Sequence, residues 1–537
     1  MSVATVPRGV GSSVMMVGAP SGMVVVAVRL VDLLAGLSRL ADLGFGLRAG
    51  EAMRSCALAT ALARSMDLPD GEVRAALYTA LLHHVGCTGY AHETASLFGD
   101  ELAVNVAAGR GDDADPRDVF TTFLPMLTHG KPVLERARLV LTTLAKGSRF
   151  GVDFTTAACE VGRAAARRLG LPDEVQGGVY HVYEMWAGSG FPSGLRGDEI
   201  PVASRIARLT GVAVLFDTVG GVDLAVAAVA KRGGGMLDPG MVAHFTDRAA
   251  AMLGDVNRTD PRSVALAAEP RPVVSVADER LAEVAEVFAD LADLKTPYLH
   301  GHSTGVAALA GRAGERLGLT ADLRVAGLLH DVGRVAVSTS VWEKPGRLTG
   351  DDGEQVRLHA YHSERILAGS DRLAPLAPIV GRHHERLDGS GYHRGCTGAD
   401  LAMPARVLAA ADAYQAMTER RPHRPALPPE RARVELIADA RAGLLDAEAV
   451  RAVLAVAGDD PGRVRRALPA GLSDRELEVL RLVAEGCGNA RIAERLVISR
   501  RTAEHHVQHI YTKIGVSSRA AAALFAMEHD LLADKDG

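Results

Sequence analysis

Along most of the chain, Ala, Leu and Val recur three and four residues apart with polar positions between them, as from Ala282 to Leu294 and from Ala409 to Met417. That spacing places the apolar side chains on one face of a helix. No hairpin and no series of parallel strands is signalled, so the pattern predicts an all-α chain. The apolar stretch from Met23 to Leu37, broken only by Arg29 and Asp32, reads as the start of the first folded helix. Residues 1–22 read as a disordered tail. Gly9 to Val28 carries no charge, but its Gly11, Ser12, Ser13, Gly18, Pro20, Ser21 and Gly22 would make a poor helix in lipid, so no membrane association is expected. Two further segments lack a sustained period: 255–275, with Pro261, Pro270 and Pro272, and 458–470, with Asp459-Asp460-Pro461-Gly462. Read as linkers, they divide the chain into units at 23–254, 276–457 and 471–537.

The first two units look like copies of one another. Glu184-Met-Trp-Ala-Gly-Ser-Gly matches Glu385-Arg-Leu-Asp-Gly-Ser-Gly at an offset of 201 residues, and the register holds to Ser204-Arg205-Ile206 against Ala405-Arg406-Val407. Leu81-Leu82-His83-His84-Val85-Gly86 mirrors Leu328-Leu329-His330-Asp331-Val332-Gly333, and Gly235 to Asp238 mirrors Gly443 to Asp446. Three matches in the same order imply a duplicated fold.

Composition supports this reading. At 537 residues the chain is too long for one core, and 48% apolar residues with only 4% aromatics suit several helical ones. A net charge of −5 excludes a chain that is basic throughout, but not a local surface for nucleic acid. The five cysteines, Cys56, Cys87, Cys159, Cys396 and Cys487, are scattered and form no CxxC, which fits a reducing, cytoplasmic setting without disulfides.

Chemistry is concentrated in the second copy. His302, the pair His330–Asp331, His359, the pair His383–His384, and Asp412 form an ordered set of nitrogen and oxygen donors suited to a dinuclear hydrolytic centre. The first copy has lost most of it: Val182, Tyr183 and Gly211 face His383, His384 and Asp412, and His84 faces Asp331. That copy is expected to be a scaffold, dimerisation surface or sensor, with His83–His84 structural.

Residues 280–455 resemble the HD-GYP branch of the HD phosphohydrolase superfamily. The matching stretches are His302-Ser303, Leu329-His330-Asp331-Val332-Gly333, Lys344 to Thr349, His359, His383-His384-Glu385 through Gly389-Ser390-Gly391-Tyr392, and Ala405-Arg406-Val407 running to Asp412. The resemblance implies a metal-dependent phosphodiesterase holding two divalent ions (Fe, Mn, Ni or Zn), with cyclic di-GMP or another phosphoester as substrate. It assigns His302 and His330 to one metal and His359, His383 and His384 to the other, with Asp412 completing the cage. Asp331, directly after His330 at a helix end, is the natural bridge. Paired cations lower the pKa of a shared water and spread the charge of in-line attack on phosphorus.

Three departures bear on substrate and metal count. Arg334 stands where the family has a lysine, so Asp331 and Arg334 are the catalytic candidates and Arg334 would present a fork rather than a point charge. His393 replaces the GYP proline, and Tyr298 stands where some relatives carry an acidic ligand, which favours two metals over three. His362 is a substitute ligand to consider, while His300 and His393 are expected bystanders. The competing reading is a sensor that holds metal or nucleotide without turnover.

The third unit begins Gly471-Leu-Ser473-Asp-Arg-Glu476, with capping-box spacing, followed by Leu477, Leu480 and Val483 at helical spacing. Asn489 to Leu496 and Ser499 to Ile514 continue the pattern, and the whole of 471–532 resembles the LuxR-type helix-turn-helix. The resemblance implies a recognition helix from Ser499 to Ile514, with Arg500, Arg501, Thr502 and His506 near phosphates or base edges of double-stranded DNA. A last helix, Ser518 to Leu531, would support a homodimer. Ala503 and Glu504 depart from the usual β-branched and basic pair, and the carboxylate would weaken phosphate binding. A four-helix module that binds protein instead of DNA is the alternative. The full expectation is two HD-type helical bundles in tandem followed by a four-helix LuxR-type domain, in a cytoplasmic regulator of transcription.

Overall fold

The computed structural model describes residues 14–18, 24–458 and 468–532. Helices dominate, and Leu281–Asp293 and Met403–Thr418 take in the two periodic stretches up to Leu294, the C-cap of the first. No helix among the described residues is long and apolar enough to cross a membrane.

The first thirty residues depart from the expectation. Val14–Gly18 (β1), placed in the tail, pairs antiparallel with Val24–Arg29 (β2), and β2 pairs in turn with Ser275–Ala277 (β3). The helix anticipated from Met23 starts only at Leu30. Four of the five residues Val24-Val25-Val26-Ala27-Val28 are β-branched, and β-branched side chains favour strand over helix when a partner edge is at hand. The segment 255–275 is likewise more than a linker. Asp260 caps Pro261–Ala268, donated to by the Ser263 amide at 3.1 Å, and Ala265 of that helix is fully buried. Of the second linker, residues 459–467 lie outside the described residues.

The duplication holds at the level of contacts. Glu184 accepts from the amides of Ser193 (2.7 Å) and Leu195 (3.1 Å), and Glu385 accepts from those of Arg394 and Cys396 (3.0 Å each). Arg205 pairs with Asp238 at 2.9 Å as Arg406 pairs with Asp446 at 2.8 Å. Asp42 accepts from the amides of Gly50 and Ala52 (2.7 and 3.0 Å), and Asp293 from that of Ser303 (2.9 Å). A Cβ on Gly86 would collide with the Ala158 carbonyl, and one on Gly333 with the His359 carbonyl, so both turns press on a neighbouring helix at the same place.

The two bundles share a continuous apolar core with the C-terminal module. Lys295 crosses between the bundles to Glu101 (2.7 Å) and the Val335 carbonyl (2.9 Å), all of it buried. Glu101 also accepts from the Thr339 amide at 2.9 Å, so the buried charge is matched on both sides. Arg39, on the first helix, donates to the Arg365 carbonyl at 2.7 Å, joining that helix to the second bundle.

Candidate functional site

Helix ends and two helix interiors in the second bundle deliver the donors. His302 opens the helix His302–Arg316 just after Gly301, whose φ of 79° turns the chain into it. Ser303 donates from both its amide and its hydroxyl to Asp293 (2.9 Å each), fixing that helix start. His330 and Asp331 follow the helix Leu323–Leu329, and His359 lies on the buried face of Gly350–Leu367. His383 and His384 follow the short helix Ala377–Val380, and Asp412 comes from Met403–Thr418.

All seven side chains meet. Asp331 Oδ2 is 3.4 Å from His302 Nε2 and 3.0 Å from His330 Nε2, while its Oδ1 is 3.1 Å from His359 Nε2 and 3.5 Å from His383 Nε2. Asp412 Oδ1 is 3.3 Å from His302 Nε2, and its Oδ2 is 3.5 Å from His384 Nδ1. The donors fall into two groups that share Asp331: His302, His330 and Asp331 in one, and Asp331, His359, His383 and His384 in the other. Atoms within each group lie within 4.8 Å of one another, and among the described residues no other such group of three or more exists.

The donor chemistry fits metal. His302 Nε2, His330 Nε2, both Asp331 oxygens and Asp412 Oδ1 are buried without a hydrogen-bond partner, a costly arrangement for groups with nothing to bind. The opposite ring nitrogens are satisfied. His330 Nδ1 donates to the Gly327 carbonyl (2.7 Å), His383 Nδ1 to that of Val380 (2.6 Å), and His359 Nδ1 to that of Val356. A ring donating from Nδ1 presents a lone pair at Nε2, the form a metal requires.

The donors differ in charge, and His330 holds a proton that a cation would displace. Burial would raise Asp331, but Arg334 and His330 outweigh it and hold the carboxyl well below its usual range. Burial lowers His359 to about 4, whereas at His330 Asp331 and Asp412 override burial and lift it to about 9. Arg334 Nη2 lies 2.6 Å from Asp331 Oδ2, an ion pair out of hydrogen-bonding line, and its guanidinium sits 5.0 Å over the Trp342 ring. His384 keeps 14% side-chain exposure where the other four imidazoles keep 1% or less, so the centre opens on its side, beside Tyr392 at 4.3 Å between rings.

His362 is half-buried and belongs to neither donor group, and His393 lies against Tyr361, 6.1 Å between rings. Glu419 was not anticipated: its carboxylate accepts from His302 Nδ1 at 2.8 Å. It lies 117 residues from that histidine and just past the end of its helix, where no periodic signal extends.

In the first bundle Glu51 occupies the place of His302, opening a helix after Gly50 at φ 101°. Ala158 takes the place of His359 on the helix that presses against the turn. His84 stacks on both His83 and Phe45 at 4.1 Å, with the Tyr183 hydroxyl 3.3 Å from its Nδ1.

The C-terminal module consists of Asp474–Ala484, Asn489–Leu496, Arg500–Ile514 and Arg519–Glu528. Ser499 caps the third helix, accepting from the Thr502 amide at 3.0 Å. Ala503, Val507, Ile510 and Tyr511 face inward, leaving Arg500, Arg501 and Thr502 exposed. His506 is half-buried at the flank. His505 and His509 stack at 4.5 Å on the exposed face and were not singled out from the sequence.

Residues 152–221 and 286–449 match the HD domain family, and residues 470–526 match the bacterial regulatory proteins of the luxR family. The chain is 27% identical over 410 residues to the 3'3'-cGAMP-specific phosphodiesterase 3 of Vibrio cholerae serotype O1, covering 75% of this chain and 89% of that one. It is 34% identical over 161 residues to a cyclic di-GMP phosphodiesterase of Thermotoga maritima, covering 29% and 44% of the two chains. A crystal structure of a cyclic GMP-AMP specific phosphodiesterase of V. cholerae shares the fold, with a TM-score of 0.55 at 24% identity over 81% of this chain and 99% of that one. The chain thus carries HD-domain sequence in both bundles, joined to a C-terminal DNA-binding domain of the luxR family.

Proposed function

We propose that the second bundle is a dinuclear-metal phosphodiesterase for a 3'3'-linked cyclic dinucleotide, cyclic di-GMP or cyclic GMP-AMP, within a regulator of transcription. The observation that carries this reading is the set of buried, unpartnered donor atoms split into two groups around Asp331. His302, His330 and Asp331 would hold one cation and His359, His383 and His384 the other, with Asp331 shared and Asp412 reaching both. Cations held there would supply Lewis acidity and an ionised water near neutral pH. Arg334, anchored on Asp331 and Trp342, keeps a positive charge at the edge of the donor set, where a phosphate oxygen would otherwise meet carboxylates. His384 and Tyr392 border the open side, so the phosphodiester enters past them, and Tyr392 offers a ring face to a base.

Metal analysis of the purified chain, together with hydrolysis of a panel of cyclic dinucleotides, tests the proposal. About two ions per chain and turnover of a panel member are expected, with activity down at least about 100-fold in Asp331→Ala. The ion pair between Arg334 and Asp331 favours one other reading, a site that binds metal or nucleotide without turnover. Bound metal with no hydrolysis of any phosphoester would select that sensor.

A further inference from the structure

We propose that Glu419, Arg420 and Arg421 are positioning residues that tie the state of the metal centre to the docking of the C-terminal module, so that a filled centre holds the module against the bundles. This rests on the metal-centre reading above. His330, His359 and His383 each fix their ring through a carbonyl of their own segment, but His302, at the first position of its helix, relies on the Glu419 carboxylate at 2.8 Å. Glu419 also accepts from Arg421 Nη2 (2.9 Å) and Gln415 Nε2 (2.8 Å). Arg421 Nη1 donates to the Tyr298 carbonyl at 3.0 Å. Arg420 lies 5.5 Å over the Tyr298 ring and 3.9 Å from Glu485 of the C-terminal module.

The segment leading into His302 is itself part of the docking surface. Pro297 closes on Gly486, where an added Cβ would meet Pro297 Cγ at 2.8 Å, and Gly301 faces Leu532. One short stretch therefore has a metal ligand at its end and the module along its side.

The chemistry gives the coupling a direction. A cation on His302 Nε2 forces the ring proton onto Nδ1, which can then only donate, and Glu419 is its acceptor. Arg421 Nη2, 3.4 Å from that Nδ1, donates to Glu419 at 2.9 Å while its Nη1 holds the Tyr298 carbonyl, so a cation that fixes the His302 ring also fixes the carboxylate and the segment before it. Without a cation His302 is held at Nδ1 alone, and the segment from Pro297 to His302 loses one of the two anchors at its end. By linkage, docking must tighten cation binding by the same factor that cations tighten docking.

Docking covers the last helix. Glu160 of the first bundle accepts from the Ser517 amide and hydroxyl (2.8 and 2.6 Å) and the Ser518 amide (3.0 Å). Ala520 packs on Gly89, and Arg167 lies 3.8 Å from Glu528. Arg500 and Arg501 stay exposed, so the docked module retains its basic face and hides the helix Arg519–Glu528.

Amide exchange of residues 519–528 in the full chain, with manganese and with chelator, tests the proposal alongside metal content and manganese EPR. In the native chain chelation should speed exchange at least about tenfold, a coupling within the usual allosteric range. Glu419→Gln should weaken one of two manganese sites about 10- to 100-fold, erase the spin-coupled pair signal, and exchange as the chelated protein does. The double variant Arg420→Ala with Glu485→Ala, on the surface and away from the ligands, should exchange fast in either condition while loading two ions at saturating manganese, with affinity about tenfold weaker as linkage requires. A native chain that loads manganese yet exchanges alike with and without chelator overturns the proposal, as does a Glu419→Gln protein matching native in both readouts. A native chain that takes up no metal overturns the metal-centre reading itself, and the metal analysis tells the two failures apart.

Discussion

Asp331 places one oxygen toward each donor group, so in the proposed metal centre its side chain would decide whether one ion or two are held. The backbone two residues later matters as much. An alanine at Gly333 would drive its Cβ into the His359 carbonyl and the Ser363 amide, neither of which can yield without moving a helix. Gly333→Ala is expected to cost about 1–3 kcal/mol, or more if the helix cannot shift. A lowered melting temperature together with lost metal would show it. Gly346→Ala, with open space around the new methyl, is the control and should leave both unchanged. At this scale the sequence was legible wherever chemistry fixes residue type: seven donors in order are hard to read otherwise. Glu419 was illegible because a supporting carboxylate needs only reach, and reach depends on how a chain end folds back.

Helix termini follow the same logic. Ser473 and Glu476 form the anticipated capping box, and Glu476 also accepts from Lys513 Nζ at 2.7 Å, joining the first and third helices of the C-terminal module. Ser473→Ala should cost about 1 kcal/mol, read as faster amide exchange along Asp474–Ala484. The Lys513 hydrogen bond and the Ser473 cap depress Glu476 from 4.5 to about 2. A depressed carboxyl stabilises the fold fully above its unfolded value, so this contribution is present above pH 4.5 and disappears as pH falls through about 2. Protection of that helix should fall through that window in the native chain, and a flat profile would remove Glu476 from the account. Strand β2 was misread for a related reason. A continuous apolar run fits a buried strand and a helix equally; of its two partners, β1 lies in the stretch read as a tail and β3 some 250 residues downstream, beyond any local signal. The helix Pro261–Ala268 carries its Asp-Pro start signal but is too short to show a period.

Across the whole molecule, the net charge of −5 means that a DNA-binding domain of the luxR family needs a local basic surface, and the exposed Arg500 and Arg501 are the expected one. Binding to duplex should weaken steeply with added salt and vanish when residues 471–537 are removed, which fluorescence anisotropy would follow. Undiminished binding by the shortened chain would place the surface elsewhere. Glu504 on the same face should blunt the salt slope, and Glu504→Gln should tighten binding at low salt. The duplication was visible in sequence because turn glycines and their neighbouring carboxylates survive where ligands do not. Glu184 and Arg205 repeat the bonds of Glu385 and Arg406, while Ala158, Val182, Tyr183 and Gly211 stand where His359, His383, His384 and Asp412 do in the other copy. The molecule therefore contains its own blank: the same cradle, built twice and furnished once. Every chain in a metal titration carries a matched reference for nonspecific uptake, and those bare positions are where reinstalled donors would reveal whether backbone shape alone suffices to found a second centre.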